Sequence, residues 1–273
     1  MKRVSITIKM LLLVLPILLC AEGWNSIVTT TATVDYIASA CFSTEFADMD
    51  QFVNSSGLHL VVEDDDGISY KQFNTSGVLQ SSSSIATLGY FPNIVGDENN
   101  LYVIYYANNS IYIKKSTNNG GSWAEDDYLY LGHGFYTGVD VALNSAGVHI
   151  VYGLSNETYY RRNNGTDWLD YKHVSDGTSG SAPQIALSDN RIHVSWNTNP
   201  NASNCDGEDR YSRDRAGTTW ENEQNVGYSN SYGEDSYGED LIVVGDKLHM
   251  FFFVSGVMSY PLYHLSRDLD GIP

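Results

Sequence analysis

The sequence has few residues of several kinds, and each shortage excludes a class of protein. Only 3 of the 273 residues are cysteine, which excludes a fold held by a disulfide framework, and their spacing is not that of a zinc site. Basic residues are also scarce, with 15 Lys and Arg against 33 Asp and Glu and a net charge of −18. Because phosphate binding requires clustered Lys and Arg, nucleic acid and anionic membranes are excluded as partners.

Long hydrophobic runs are limited to Met10–Leu19, which follows Lys2, Arg3 and Lys9. A basic start and a run too short to span a bilayer are typical of a secretory signal peptide. We therefore predict a signal peptide at residues 1–22 and one domain at residues 23–273. The mature protein is expected to be secreted or at the cell surface, without membrane insertion.

The three cysteines leave two questions open. Cys20 could be the lipidated residue of a bacterial lipoprotein, but the bulky Leu19 before it favours ordinary cleavage. Cys41 and Cys205 are expected on the same face of the fold. They either form one disulfide that ties down a long loop or remain free thiols, because spacing alone does not decide between the two.

The sequence does contain a repeat, an apolar pattern that occurs five times. Its markers are separated by 43, 47, 44 and 56 residues, which is the period of propeller blades built from four short strands. We predict an all-β fold, a five-bladed β-propeller of four-stranded blades. The markers are His59, Tyr102, His149, His193 and His249. The third strand of each blade is predicted to carry Tyr70, Tyr112, Tyr160, Tyr211 and Tyr263.

The fifth repeat stops before its fourth strand would begin. The stretch Glu22–Thr30, which contains Trp24, is similar to the segments that follow the turn in other repeats. We expect this N-terminal strand to close the last blade, so that no sheet edge is left free.

A turn between the third and fourth strands carries a family resemblance. The segment Ser116–Trp123 resembles the Ser-x-Asp-x-Gly-x-x-Trp pattern of the Asp-box, or bacterial neuraminidase repeat, with Asn118 in the Asp position. This identifies the chain as similar to the sialidase-like superfamily. The resemblance implies structural hairpin turns whose Trp packs into the blade. The residues matched are Ser116, Asn118, Gly120 and Trp123, then Asn163, Gly165 and Trp168, and finally Gly217 and Trp220.

A ring of polar residues is predicted at the mouth of the central tunnel. Counting back nine residues from each marker reaches one oxygen-bearing side chain per blade, and the second copy of the doubled "SYGED" supplies the last of them. Such a ring binds ordered water or an oxygen-preferring cation such as Ca²⁺, the one cofactor considered. The ring is Asp50, Asn93, Asp140, Gln184 and Asp240.

The marker histidines do not suit a zinc site, because each lies in a different blade and strands are about 4.8 Å apart. They are predicted to pack and to form hydrogen bonds. The positions three residues further on are predicted to form the core between blades. These are Val62, Tyr105, Tyr152, Trp196 and Phe252.

Aromatic residues in the loops that enter each blade are predicted to line a ligand face with the ring carboxylates, since aromatic rings stack on sugars and carboxylates accept hydroxyl hydrogen bonds. The predicted ligand-binding residues are Tyr90, Phe91, His133, Phe135, Tyr136, Asp140, Tyr232, Tyr237 and Asp240.

Three functions fit these features, namely ligand binding without turnover, glycoside hydrolysis and a structural role. Sialidase chemistry, which the resemblance implies, requires an Arg triad, yet the loops that enter the blades contain no Arg and only Arg210 is near that face. The favoured hypothesis is therefore a propeller that binds a neutral glycan or an extracellular protein without turnover. The alternatives are a glycoside hydrolase, either sialidase-like or acting on a neutral sugar through Asp50, Asp140 and Asp240, and a structural extracellular module.

Overall fold

The computed structural model describes residues 49–132, 136–155, 157–175, 180–189, 191–198, 208–214, 220, 224–225, 236–254 and 262–269. Every regular element within these ranges is a β-strand. In the same part of the chain no helix is long and apolar enough to cross a membrane. The predicted signal peptide, the closing strand with Trp24, and Cys20, Cys41 and Cys205 lie outside the described residues.

The strands form five antiparallel sheets, called blades 1 to 5 in chain order. Blade 1 contains β1 (Met49–Asn54), β2 (Gly57–Asp64), β3 (Gly67–Phe73) and β4 (Leu79–Ala86). Blade 2 contains β5 (Tyr90–Gly96), β6 (Leu101–Ala107), β7 (Ser110–Ser116) and β8 (Ala124–Tyr130). Blade 3 contains β9 (Tyr136–Asn144), β10 (Gly147–Leu154), β11 (Glu157–Arg162) and β12 (Lys172–His173). Blade 4 contains β13 (Ser181–Ser188), β14 (Arg191–Thr198), β15 (Glu208–Asp214) and β16 (Gln224–Asn225). Blade 5 contains β17 (Ser236–Val244), β18 (Lys247–Val254) and β19 (Leu262–Asp268).

The order of the sheets confirms the predicted five-bladed β-propeller. Each blade is a meander in which sequential strands pair. The first strands of neighbouring blades (β1, β5, β9, β13 and β17) pack against one another in turn, which makes them the inner strands. This arrangement brings one position from each repeat to the centre of the molecule.

The hydrophobic core lies mainly between the blades. One cluster joins blades 1 and 2, a second joins blades 2 and 3, and a third joins blades 3 and 4. The predicted core positions Val62, Tyr105, Tyr152 and Trp196 are all buried, as expected, while the side chain of Phe252 lies outside the description. Burial of each such side chain contributes about 1.5–3 kcal/mol to the free energy of unfolding. Packing between the blades therefore holds the propeller together.

Three of the four marker histidines, His59, His149 and His193, are buried and form hydrogen bonds, as predicted. His149 Nδ1 lies 2.7 Å from the hydroxyl of Tyr160, and its Nε2 lies 2.9 Å from Asn144 Oδ1. His59 repeats this arrangement with Tyr70 and Asn54. Burial lowers the pKa of both imidazoles, that of His149 to about 4, so they are neutral at pH 7.

All five tyrosines predicted for the third strands lie on those strands, but they occupy two different registers. Tyr70, Tyr160 and Tyr211 pair with the residue two positions after the marker. Tyr112 and Tyr263 pair one position further along, with Tyr105 and Phe252. Because a shift of one residue reverses the face of a strand, Tyr112 takes part in a different row of side chains.

Candidate functional site

The five predicted ring residues occupy the same register in the five inner strands. Each one pairs with the residue two positions after the marker of its own blade. The count of nine residues works because the inner and second strands pair in the same register in every blade, although four residues connect them in blade 2 and two in the other blades. The paired residues are Asp50 with Val61, Asn93 with Ile104, Asp140 with Val151, Gln184 with Ser195, and Asp240 with Phe251.

The ring lies towards one end of the propeller. At the end of β1, Asn54 donates a hydrogen bond of 2.9 Å to Asn119, which belongs to the Asp-box-like turn of blade 2. Asp50 comes four residues before Asn54, about 13 Å away at the rise of an extended strand. The ring is thus displaced from the Asp-box-like turns towards the opposite face, where the sequence analysis places it.

Two ring carboxylates connect neighbouring blades through the backbone. Asp140 Oδ2 accepts a 2.7 Å hydrogen bond from the backbone N–H of Ile185 in blade 4, and its Oδ1 accepts one from Val141. Asp50 does the same with Ile94 in blade 2 and with Gln51. Each carboxylate oxygen retains a lone pair for a further partner. The sequence indicated ordered water or a cation as the partner of these carboxylates, and their backbone partners could not be predicted from it.

The other ring positions differ in chemistry. The Asn93 amide donates 3.0 Å hydrogen bonds to the carbonyl oxygens of Phe91 and Val139, so it also joins two inner strands. Gln184 is half-buried and Asp240 is exposed. The ring therefore combines two partly buried carboxylates, two amides and one carboxylate that is open to solvent.

Burial raises the pKa values of the two inward carboxyl groups. Burial raises the pKa of Asp140 to about 7, and the negative charges of Asp50 and Asp240 act in the same direction, against the backbone hydrogen bonds. Burial also raises the pKa of Asp50 to about 6, with a smaller contribution from Asp240. Because the charges of Asp50 and Asp240 both raise the pKa of Asp140, the ring carboxyl groups titrate as a coupled set.

In three blades the backbone has positive φ shortly before the ring residue. The residue two positions before it has positive φ: 54° at Phe91, 130° at Gly138 and 46° at Ala182. β-bulges interrupt the pairing at or beside these positions. A left-handed conformation costs a residue other than Gly about 1–2 kcal/mol, and bulges and strain of this kind are concentrated near functional sites.

The calcium site predicted at the ring would use the amides of Asn93 and Gln184 as well as three carboxylates, and it stays a prediction. Within the described residues, no three His, Cys, Asp or Glu side chains are grouped so that they could hold a metal ion. The Oδ2 atoms of Asp50 and Asp140 each accept a backbone hydrogen bond from the neighbouring blade, which leaves a lone pair on each for a water or a cation.

The predicted aromatic face is only partly described. Tyr90 is exposed, as a stacking residue should be. Phe91 instead packs against the core between blades 2 and 3, because its left-handed backbone turns the ring inward. His133, Phe135 and Tyr232, and the side chains of Tyr136 and Tyr237, lie outside the described residues.

The Asp-box-like turn has the hydrogen bonds expected from its sequence. Asn118 Oδ1 accepts from the backbone N–H of Ser122 at 2.9 Å, and Ser116 Oγ accepts from that of Gly120 at 2.8 Å. Trp123 packs against the core cluster shared by blades 1 and 2, where it meets Tyr70 of blade 1 edge-on with ring centroids 5.0 Å apart. The turn therefore joins two blades.

The weaker copies of the turn are described in part. Asn163 Oδ1 accepts a 2.6 Å hydrogen bond from the backbone N–H of Gly165. The guanidinium group of Arg161 lies over the ring of Trp168, 5.5 Å from its centroid. The same group forms an ion pair with Asp127 of blade 2. Trp220 contacts Tyr160 of blade 3 edge-on, as Trp123 contacts Tyr70. Gly217 lies outside the described residues.

Comparisons with solved structures agree with this fold. The chain is similar to an α-L-arabinanase from Penicillium chrysogenum in complex with arabinobiose, with 9% identity over 82% of this chain and 80% of that one and a TM-score of 0.54. It is also similar to an α-L-arabinofuranosidase from Fusarium graminearum, with 11% identity, 76% of each chain and a TM-score of 0.56. A GH43 endo-arabinanase from Bacillus licheniformis matches with 10% identity over 81% of this chain and 93% of that one, at a TM-score of 0.50.

No protein-family model matches the sequence, and no curated protein matches it either. At identities near 10%, the structural likenesses establish the fold alone. The solved structures with a similar propeller are glycoside hydrolases of the arabinanase kind, whereas the sequence resemblance pointed to sialidases.

Proposed function

We propose that the protein is a glycoside hydrolase that acts on a neutral glycan at the ring face. The observation that carries the proposal is the pair Asp50 and Asp140. They hold equivalent positions in blades 1 and 3, influence each other electrostatically, and have pKa values raised to about 6 and 7. Glycosidases use two carboxyl groups in different protonation states, one as acid and one as base or nucleophile.

The roles follow from the order of the pKa values. Asp140 keeps its proton to higher pH and is assigned as the acid that protonates the leaving-group oxygen. Asp50 ionises first and is assigned as the base or nucleophile. The acidic surroundings, with Asp240 nearby and a net charge of −18, favour an uncharged substrate over a sialoside or uronide.

The test measures the release of reducing ends from neutral polysaccharides, starting with arabinan because arabinanases share the fold. Asp140→Asn and Asp50→Asn should each lower the rate by about 10²–10⁴-fold. Asp246→Asn, which changes an exposed hairpin carboxylate, should leave it unchanged. Equal rates in the wild type and both ring variants would refute the assignment.

A second function, binding of a neutral glycan without turnover, is favoured by a different observation. The carboxylates of Asp50 and Asp140 and the amide of Asn93 all hold neighbouring inner strands together, which gives them a structural role without catalysis. Saturable saccharide binding with no product from any neutral glycan would support this function. Absence of both would support an extracellular protein ligand or a structural module.

The turns at Ser116–Trp123 and Asn163–Trp168 are proposed to be divergent Asp-boxes, as in sialidase-like propellers. Their side-chain-to-backbone hydrogen bonds and their Gly residues with positive φ support this. Secretion after removal of residues 1–22 is also a proposal. N-terminal sequencing of the exported protein should begin at Gly23, and retention of residues 1–22 would argue against it.

A further inference from the structure

We propose that the outer edge of blade 3 carries a second site for neutral saccharides, separate from the ring and independent of its proposed chemistry. The site is an aromatic cluster made of Tyr159, Tyr171 and His173 together with the carboxylate of Glu157. This cluster was not predicted from the sequence, in which Tyr160 was the tyrosine assigned to the third strand of the blade.

The cluster is the exposed end of a row of rings that crosses the blade. Tyr152, which is buried, stacks on Tyr159 across the strand pair at 5.4 Å, and Tyr159 contacts His173 at 4.5 Å. Tyr171 meets Tyr159 edge-on at 5.5 Å and is 53% exposed. The buried ring anchors the row, while the outer rings remain accessible.

A four-stranded blade does not require such a row of aromatic rings in order to form, because blade 2 has one and blade 1 does not. Blade 2 has a similar one, in which Tyr105, Tyr112 and Tyr128 stack in order. In blade 1 the same register holds Val62, Ser69 and Ser84, and the blade forms four strands without any ring there. The exposed rings of blade 3 are thus additional to what the blade needs in order to fold.

The geometry of the cluster indicates the kind of ligand. The rings lie 4.5–6.2 Å apart, in direct contact, so no cation fits between them as it would in an aromatic cage. A ligand must lie against the outward faces. Three rings also provide much less than the roughly 800 Å² that each partner contributes to a stable protein interface.

Glu157 adds a polar contact of the kind that sugars use. Its Oε2 accepts the hydroxyl of Tyr159 at 2.6 Å and lies 3.4 Å from His173 Nδ1. Within the residues that the structure describes, both contacts use Oε2, and Oε1 is the oxygen that we expect to accept a ligand hydroxyl. An exposed ring beside a carboxylate acceptor suits the apolar C–H face and the hydroxyl edge of a saccharide.

The aromatic cluster is too far from the ring of polar residues on the inner strands to be part of that ring. Tyr159 and His173 lie on the second and third strands outward from β9, which carries Asp140. At about 4.8 Å per strand, His173 is about 14 Å from the inner strand. Changes in the cluster should therefore leave the ring carboxylates undisturbed.

Affinity electrophoresis of the full chain in gels with soluble arabinan, galactan, xylan or mixed-linkage glucan tests the proposal. Replacing both Tyr171 and His173 with Ala should raise the dissociation constant for the retarding polysaccharide about tenfold or more. Tyr171→Phe, which keeps the ring, should bind as the wild type does. Tyr130→Ala is the matched control, since Tyr130 is 61% exposed on β8 and outside the cluster. Thermal melts would confirm that all variants fold.

The ring and the cluster are separated by a variant with both Asp50→Asn and Asp140→Asn. Retardation that survives in this variant and is lost in the cluster variant supports the second site, whatever the ring does. Retardation that is equal in the wild type and the cluster variant overturns it. A wild type that no gel retards also overturns it, while loss of turnover in the ring variant alone bears only on the proposed hydrolase.

Discussion

The Oδ2 atom of Asp140 accepts a hydrogen bond from the backbone N–H of Ile185 in the next blade, at 2.7 Å. One side chain thereby joins two inner strands and places a carboxyl group where burial raises its pKa to about 7. The same residue thus stabilises the ring of blades and provides a titratable group for chemistry, and its variants separate the two roles.

The first prediction concerns stability against pH. The folded pKa of Asp140 is raised above the ordinary value of 3.8, so its contribution to stability is full below that value and is lost as the pH rises to about 7. Compared with Asp140→Asn, the wild type should lose roughly 2–4 kcal/mol of unfolding free energy between pH 4 and pH 8.

Urea unfolding of both proteins at several pH values measures this difference. The comparison with the variant is needed because His59 and His149, whose pKa values are lowered, change stability in the opposite direction over pH 4–6.5. A difference that does not vary with pH would mean that Asp140 titrates normally.

The second prediction concerns catalysis. If Asp50 must be ionised and Asp140 protonated, kcat/KM should follow a narrow bell with limbs near pH 6 and pH 7, which are the raised pKa values. Because the two groups interact, the limbs belong to the pair. Initial rates on the best neutral substrate from pH 4 to 9 test this, and a plateau extending from pH 5 to pH 9 would exclude these roles.

The third prediction concerns the buried histidines. Tyr160→Phe removes the hydroxyl that lies 2.7 Å from His149 Nδ1 and leaves a buried imidazole nitrogen unpaired. The expected cost is about 1–3 kcal/mol of unfolding free energy. Tyr128→Phe, in an exposed tyrosine of blade 2, should change it by less than about 0.5 kcal/mol. Equal effects in chemical denaturation would contradict the account.

The fourth prediction compares two glycines of the Asp-box-like turns. Both have positive φ, 86° at Gly120 and 99° at Gly165. A Cβ at Gly120 would lie 2.0 Å from the hydroxyl of Tyr70 in blade 1, whereas a Cβ at Gly165 would meet open space. Gly165→Ala should therefore cost only the backbone strain, about 1–2 kcal/mol.

Gly120→Ala should cost a further 1–3 kcal/mol or so, because the buried Tyr70 would have to move. Melting temperatures of the two variants provide the comparison. If Gly165→Ala were the more harmful change, the turn of blade 2 would not contact blade 1 as described.

Much of the fold could be predicted from the sequence because its determinants are local and repeated. Alternating strand patterns and the spacing of the markers from His59 to His249 indicated five blades. The constant spacing of nine residues between each ring residue and its marker predicted the register of the ring from Asp50 to Asp240. The third-strand tyrosines were also assigned to the correct strands, but the sequence did not show that Tyr112 in "SIYIK" pairs one position further along than Tyr70 and Tyr160 do.

The sequence by itself thus determined the all-β propeller, its blade count and the position of the ring in each inner strand. Only the tertiary structure decided what those side chains meet. The amides that bind Asp50 and Asp140 belong to other blades, the ring of Phe91 turns inward because of a left-handed backbone, and Tyr171 and His173 approach Tyr159 across a strand pair. Such contacts depend on how separate repeats pack in space, which no local pattern of residues records.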